Sequence, residues 1–187
     1  MKLPGQKDIK KMLVWALPRL PPAPAGGRSI EHMYPDIVRD LVRQYRLETK
    51  VEWDSYGQGY ASYVDAWFYR DQPEFRSPAA TKAQKDFVGL DVLFCRLAPY
   101  YVMSEGTKFW HDRGGGGTMP GYTGVDEFPT RAVKDLSEKA AVFLNAQGLV
   151  RLSKVGVSEE LPQEFHFDTN LVDDKHRLFD ALFFWYD

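Results

Sequence analysis

Between Val51 and Glu105 the chain carries strand-like runs one after another, with only turns and a loop between them, and this succession most restricts its fold. Val51 to Asp54 and Tyr60 to Arg70 flank Ser55-Tyr56-Gly57-Gln58-Gly59, a turn-like insert with two glycines that reads as the reversal of a β-hairpin. Phe87 to Leu97 and Tyr100 to Glu105 follow as two more strands, joined near Ala98-Pro99. Consecutive strands argue against alternating β-α-β units. They predict an α+β fold, a mostly antiparallel sheet of about five strands with two main helices packed on it. In the second run Tyr63, Asp65, Trp67 and Tyr69 alternate with Val64, Ala66 and Phe68, which places aromatic rings on both faces of a strand and predicts that both faces are covered. The unbroken apolar run Val92-Leu93-Phe94-Cys95 suits a central strand.

The helices are read from spacing. Ile37, Val38, Leu41, Val42 and Tyr45 make one apolar face and predict a helix over about 31–47, with Ser29 as a candidate N-cap and Pro35 tolerated near the start. Val133, Leu136, Ala140, Phe143 and Leu144 predict a second helix over about 129–147, opened by Pro129 and ended by Gly148. Leu149 to Leu152 reads as a short strand, Glu164 to Asp168 as another, and Leu178 to Trp185 as a short, mostly buried helix. Pro18, Pro21, Pro22, Pro24, Gly26 and Gly27 mark residues 1–28 as a lead-in segment, whose stretch Ile9 to Leu17 docks on the body. Residues 29–187 then form one domain. Asp71 to Lys85 reads as a loop, and so does His111 to Gly124, where Gly114 to Gly117 make a flexible run.

Charge and cysteine usage narrow the setting. A net charge of −2 does not suggest a nucleic-acid binder. Its distribution is uneven: residues 1–46 hold nine Lys/Arg against four Asp/Glu, whereas residues 156–187 hold eight Asp/Glu against two Lys/Arg. An acidic end of this kind can steer a basic partner. Cys95 is the only cysteine and lies in an apolar run, so it reads as a buried, inert thiol in a reducing, cytoplasmic setting. The apolar stretch Met12 to Leu17 is too short for a signal peptide and is broken by Pro18 and Arg19. No run approaches the ~20 apolar residues of a membrane span.

Motifs for chemistry are missing where they would be expected. The Gly114 to Gly117 run is followed by Thr118-Met119-Pro120 and lacks the lysine a phosphate loop requires. No Gly-x-Ser-x-Gly elbow occurs. No two of the four histidines make the i, i+4 pair of a zinc helix. His111-Asp112 and His166-Phe167-Asp168 each offer two ligands or an acid–base pair; His166 and Asp168, sharing one face of a strand, with Asp173, Asp174 and His176 nearby, would belong to a small metal-dependent or hydrolytic enzyme. A regulatory or structural adaptor is a further alternative. No cofactor is implied.

Three segments carry a resemblance. They are Gly89-Leu90-Asp91-Val92-Leu93-Phe94-Cys95-Arg96-Leu97-Ala98-Pro99, then Gly124-Val125-Asp126-Glu127-Phe128-Pro129, and the ending Leu178-Phe179-Asp180-Ala181-Leu182-Phe183-Phe184-Trp185-Tyr186-Asp187. A strand segment, an amphipathic helix and an aromatic, acidic terminus in this order resemble the immunity proteins of bacterial polymorphic toxin systems, over roughly residues 88–187. The resemblance implies a non-catalytic protein that neutralises a cognate toxin by binding it. The expected contact face joins Trp110 and Tyr122, flanking the glycine run, to Asp112, Asp126, Glu127, Asp173 and Asp174, which would meet a basic toxin surface.

Overall fold

A computed structural model describes residues 6–23, 30–57, 59–77, 85–111, 114–171 and 175–186. The side chains of residues 6, 30, 31, 85, 111 and 114 are not among those described. The candidate N-cap Ser29, the boundary between lead-in and domain, and the contact residues Asp112, Asp173 and Asp174 lie outside the described residues.

The helices are α1 (Gln6–Ala16), α2 (Tyr34–Tyr45) and α3 (Arg131–Ala146). The strands are β1 (Glu48–Glu52), β2 (Tyr60–Ala61), β3 (Tyr63–Tyr69), β4 (Lys85–Cys95), β5 (Tyr100–His111), β6 (Gly114–Gly117), β7 (Val150–Arg151) and β8 (Trp185–Tyr186). The expected α+β fold is present: a curled sheet runs in the order β1-β3-β4-β5-β6, antiparallel throughout, and β7 joins β5 in parallel. A parallel neighbour needs a crossover, and α3 supplies it between β5 and β7. Residues Val92 to Cys95 lie in the central strand β4, as their composition requires.

Both faces of the sheet are covered. On one, Val64, Ala66 and Phe68 of β3 and their cross-strand partners Phe94, Val92 and Leu90 of β4 pack with Ile37, Val38 and Leu41 of α2 and Val133, Leu136, Ala140 and Leu144 of α3. On the other, Tyr63, Leu93, Cys95, Tyr100 and Val102 pack with Met12 and Ala16 of α1 and with Leu178 to Phe184. The lead-in helix is thus part of the core. Burying one such large apolar side chain contributes about 1.5–3 kcal/mol, so the apolar stripe of α1 holds it in place.

Four expectations need correction. The run Tyr60 to Arg70 is two strands because Ser62 leaves the main sheet. Its N–H donates to the Phe184 carbonyl (2.9 Å) and its hydroxyl to the Leu182 carbonyl (2.8 Å), and β2 turns away to pair with β8. The same contacts keep residues 178–184 from becoming the expected helix. The carbonyls of Leu182 and Phe184 are claimed by Ser62 and the side chains are buried on all sides, and the segment forms successive turns that end in β8. Residues 164–168 are not a strand: the 3-10 turn Gln163–Phe165 leads into an extended segment without a ladder.

The glycine run is the fourth correction. Gly114–Gly117 is not a flexible loop but the edge strand β6, paired with Lys108 to His111 of β5. It lies so close to β5 that a Cβ on Gly115 would stand 2.6 Å from the Phe109 carbonyl and one on Gly117 would stand 2.7 Å from the Thr107 carbonyl. Only glycine permits this approach.

Candidate functional site

Cross-strand partners share a face of a sheet, so the register states what stands beside what. On the face that α1 covers at one end, Asp65 of β3 pairs with Leu93 of β4, and Asp91 of β4 pairs with both Trp67 and Ser104. Asp65 and Asp91 are therefore diagonal neighbours in the middle of the sheet. Both are 1% exposed. The next row holds the pair Gly89 and Gly106, which presents no side chain, and the row beyond holds Lys108 opposite Phe87.

That bare row builds the site. The Asp91 carboxylate lies over Gly106, where an added Cβ would fall 1.7 Å from Asp91 Oδ2. The Trp67 ring lies over Gly89, 2.6 Å from a Cβ there, and its Nε1 donates to the Gly106 carbonyl (3.1 Å). Lys108 reaches across the glycines from the far side. Its Nζ donates to Asp65 Oδ2 (3.0 Å) and stands 3.7 Å from Asp91 Oδ1. The Tyr56 hydroxyl also donates to Asp65 Oδ2 (3.0 Å). Tyr56 arrives there through a turn in which Ser55, Tyr56 and Gly57 all have positive φ (49, 60 and 78°). A left-handed conformation costs a non-glycine residue roughly 1–2 kcal/mol, and here it aims the phenol at the buried acid.

The electrostatics follow from burial. Burial first, and then the Asp65 charge, hold the Asp91 carboxyl well above the usual carboxylate range, with Lys108 pulling the other way. Burial pulls the Lys108 ammonium down, but Asp65 and Asp91 outweigh it, so the group stays protonated with a raised value. Burial raises the phenols of Tyr56 and Tyr63 as well, with the Asp65 charge adding to it. The Tyr63 hydroxyl, Asp65 Oδ1 and Asp91 Oδ1 are enclosed without a hydrogen-bond partner among the described residues. Most buried polar atoms are paired, and unpaired ones in a cleft mark a candidate site.

Two clefts open onto this cluster. One of about 280 Å³ has Asp65 and Lys108 at its floor and is bordered by Lys50, Glu52, Tyr56 and the glycines of β6. The other, about 170 Å³, has Asp91 at its floor and is bordered by Ser104, Thr118, Gly121 and Asn170. Thr118 and Met119, which follow β6, form a wall of both. The Thr118 N–H donates to the Thr107 carbonyl (2.8 Å), which pins this wall to β5.

The described residues of the expected contact face are half-buried or exposed, and each makes contacts within the chain. The Trp110 ring folds back on the body, stacked on Phe87 (centroids 5.3 Å, 20°) with the Lys50 ammonium 4.0 Å above it. Tyr122 meets Phe179 edge to face (6.1 Å) under the Arg177 guanidinium (4.5 Å). Asp126 is tied to Arg151 (2.6 Å) and accepts the Lys154 N–H (2.8 Å), and Glu127 pairs with the Lys154 ammonium (2.7 Å). Both rings and both acids are thus engaged within the chain.

His166 and His176 do come together, with rings stacked at 4.5 Å and 18°. Each Nε2 is hydrogen-bonded to a backbone carbonyl, that of Leu161 (2.9 Å) and of Phe167 (2.6 Å). Asp168 is exposed, and no group of three or more His, Cys, Asp or Glu side chains suited to a metal is found among the described residues.

Among the described residues no helix is long and apolar enough to cross a membrane. No family model, curated protein or solved structure matches the chain.

Proposed function

We propose that the chain is a non-catalytic binding protein whose partner is another protein, an immunity protein that neutralises a cognate toxin by direct contact. The observation that carries this reading is the edge strand β6. Sheet edges present a row of backbone donors and acceptors to any passing strand, and folded proteins blunt them with charge, proline or a covering segment. The opposite edge, β1, is blunted in this way by Glu48, Lys50 and Glu52. The β5 edge is covered by β6, β7 and the stretch around Glu127, whose carbonyl accepts the Glu105 N–H (3.0 Å). β6 itself consists of four glycines, is exposed at Gly115–Gly117, and has no second strand neighbour among the described residues. An incoming strand meets there a backbone with no side chain in its way, beside a cleft that can take up one of its side chains. Strand addition of this kind gives affinity through main-chain hydrogen bonds and specificity through the adjacent pocket.

The reading is tested by isothermal titration of the chain with the purified toxin domain encoded directly upstream of its gene. The expected result is saturable one-to-one binding, weakened about tenfold or more, or roughly 1.4 kcal/mol, by Gly116→Lys. That substitution places a charge on the edge, and its Cβ meets the Phe109 ring at 3.0 Å, a contact the ring relieves by a small shift. Absence of binding, or equal binding by the variant, refutes the reading.

A further inference from the structure

The acidic pair carries a charge balance that the surrounding elements do not close. Among the described residues Asp65 and Asp91 face a single ammonium, that of Lys108. The other described titratable neighbours add no net positive charge: Lys50, seated over the Trp110 ring, is matched by Glu52 on the rim of the first cleft. Tyr56 and Tyr63 are neutral phenols, and Glu105, the remaining acid of the second cleft, is occupied by Thr130, whose N–H and hydroxyl each donate to it at 2.8 Å. The wall at Thr118 to Gly121 contributes no ionisable side chain. With both acids ionised the cluster is one positive charge short, and a bound proton on Asp91 makes up the difference.

The geometry points to a receptor for a cationic, hydrogen-bond-donating group in the second cleft, seated against Asp91, with an arginine side chain of the partner's strand as its occupant. Three observations carry this. Asp91 is buried, lines the cleft, and holds Oδ1 without a hydrogen-bond partner among the described residues. Ser104 and Asn170, on the same walls, offer further acceptors. The volume of about 170 Å³ far exceeds the roughly 10–15 Å³ that one water needs, so a guanidinium fits. Guanidinium is favoured over ammonium because its planar fork of donors matches a carboxylate and it is the more weakly hydrated cation, hence easier to enclose. Entry of the cation supplies the missing charge, and the Asp91 proton leaves to solvent, so one proton is released per cation bound.

The identity of the occupant rests on the protein-binding reading; the cation site does not. The test is calorimetry at neutral pH with agmatine as the probe, in two buffers of different protonation enthalpy, on the wild-type chain and on Asp91→Asn. Asparagine keeps the shape and neutrality of the protonated acid, and a circular dichroism spectrum confirms its fold. The wild type is expected to bind one agmatine with release of about one proton, and the variant to bind about tenfold more weakly or worse without release, since a charged hydrogen bond is lost. No saturable binding to the wild type, or equal binding by the variant, overturns the site. A second arm replaces agmatine with a short extended peptide carrying one central arginine. Tighter binding than agmatine supports a partner's side chain as occupant, and weaker binding overturns that assignment. Failure of the partner reading itself is registered separately by the Gly116→Lys titration, which leaves Asp91 untouched.

Discussion

Replacing Asp91 with asparagine is expected to stabilise the protein at neutral pH. The carboxyl is fully enclosed, and burial together with the Asp65 charge raises it well above the ordinary value. A group raised on folding holds its proton more tightly in the folded chain than in the unfolded one. The stability it contributes is therefore complete below the unfolded aspartate value of about 3.9, and declines as pH rises from there toward the folded value. Each pH unit in that window is worth about 1.4 kcal/mol. Asparagine fills the same space and has no proton to lose, so its curve lacks this decline. The two proteins should match near pH ~4 and then diverge by about 1.4 kcal/mol per unit in favour of the variant, until the folded Asp91 ionises. For a chain of this length that is roughly 3–6 °C in Tm per unit. Urea titrations and thermal melts across a pH series measure it directly. Parallel stability curves, or a variant less stable than wild type at neutral pH, would refute the reasoning. A stabilising substitution at this buried acid would also show that Asp91 is kept at a cost to stability.

Lys108→Met removes the one cation of the cluster and leaves two enclosed acids. It should lose about 3–5 kcal/mol in urea denaturation at neutral pH, with part recovered in the double variant with Asp65→Asn. Gly106→Ala drives a methyl into the space of Asp91 Oδ2. The expected loss is about 1–3 kcal/mol, shrinking when Asp91→Ala is combined with it. Cys95 is buried, and burial pushes its thiol up to about 12. A thiol reagent should leave it untouched in the native protein and label it stoichiometrically in denaturant, and rapid native labelling would contradict the burial.

The fold was legible in the sequence where local pattern and tertiary packing agree. The stripes of α2 and α3 and the apolar run of β4 declare themselves by period. Ser62 does not: a polar residue inside an aromatic alternation gives no local sign that it bonds to a segment some 120 positions on. The C-terminal aromatics hide their conformation for the same reason, since an all-apolar run has no period to distinguish turns from helix. The glycine run misled because glycine is read as conformational freedom, whereas in β6 it serves close approach. Trp110 and Tyr122 flank that run and read as part of a contact face; the run is a strand, and both rings pack against the body while staying half-buried. The candidate site did leave a signal that went unused. Asp65 stands alone among Tyr63-Val64-Asp65-Ala66-Trp67-Phe68-Tyr69 and Asp91 among Val88-Gly89-Leu90-Asp91-Val92-Leu93-Phe94. An isolated acid inside a strand whose two faces are both covered is expensive to bury and marks a position where something other than packing decides the residue. Their convergence with Lys108 depends on register, with the Gly89 and Gly106 pair aligned between them, and register is not readable from either strand alone.

The central claim is that β6 and the cleft beside it are the recognition surface. Hydrogen exchange of the chain, alone and with the purified toxin domain, tests it most directly. The account expects new protection confined to residues 114–121 and the adjoining floor of the cleft, because an added strand would engage the outer backbone groups of β6. Unchanged exchange at residues 114–117 in a saturated complex, with protection on another face, would contradict it.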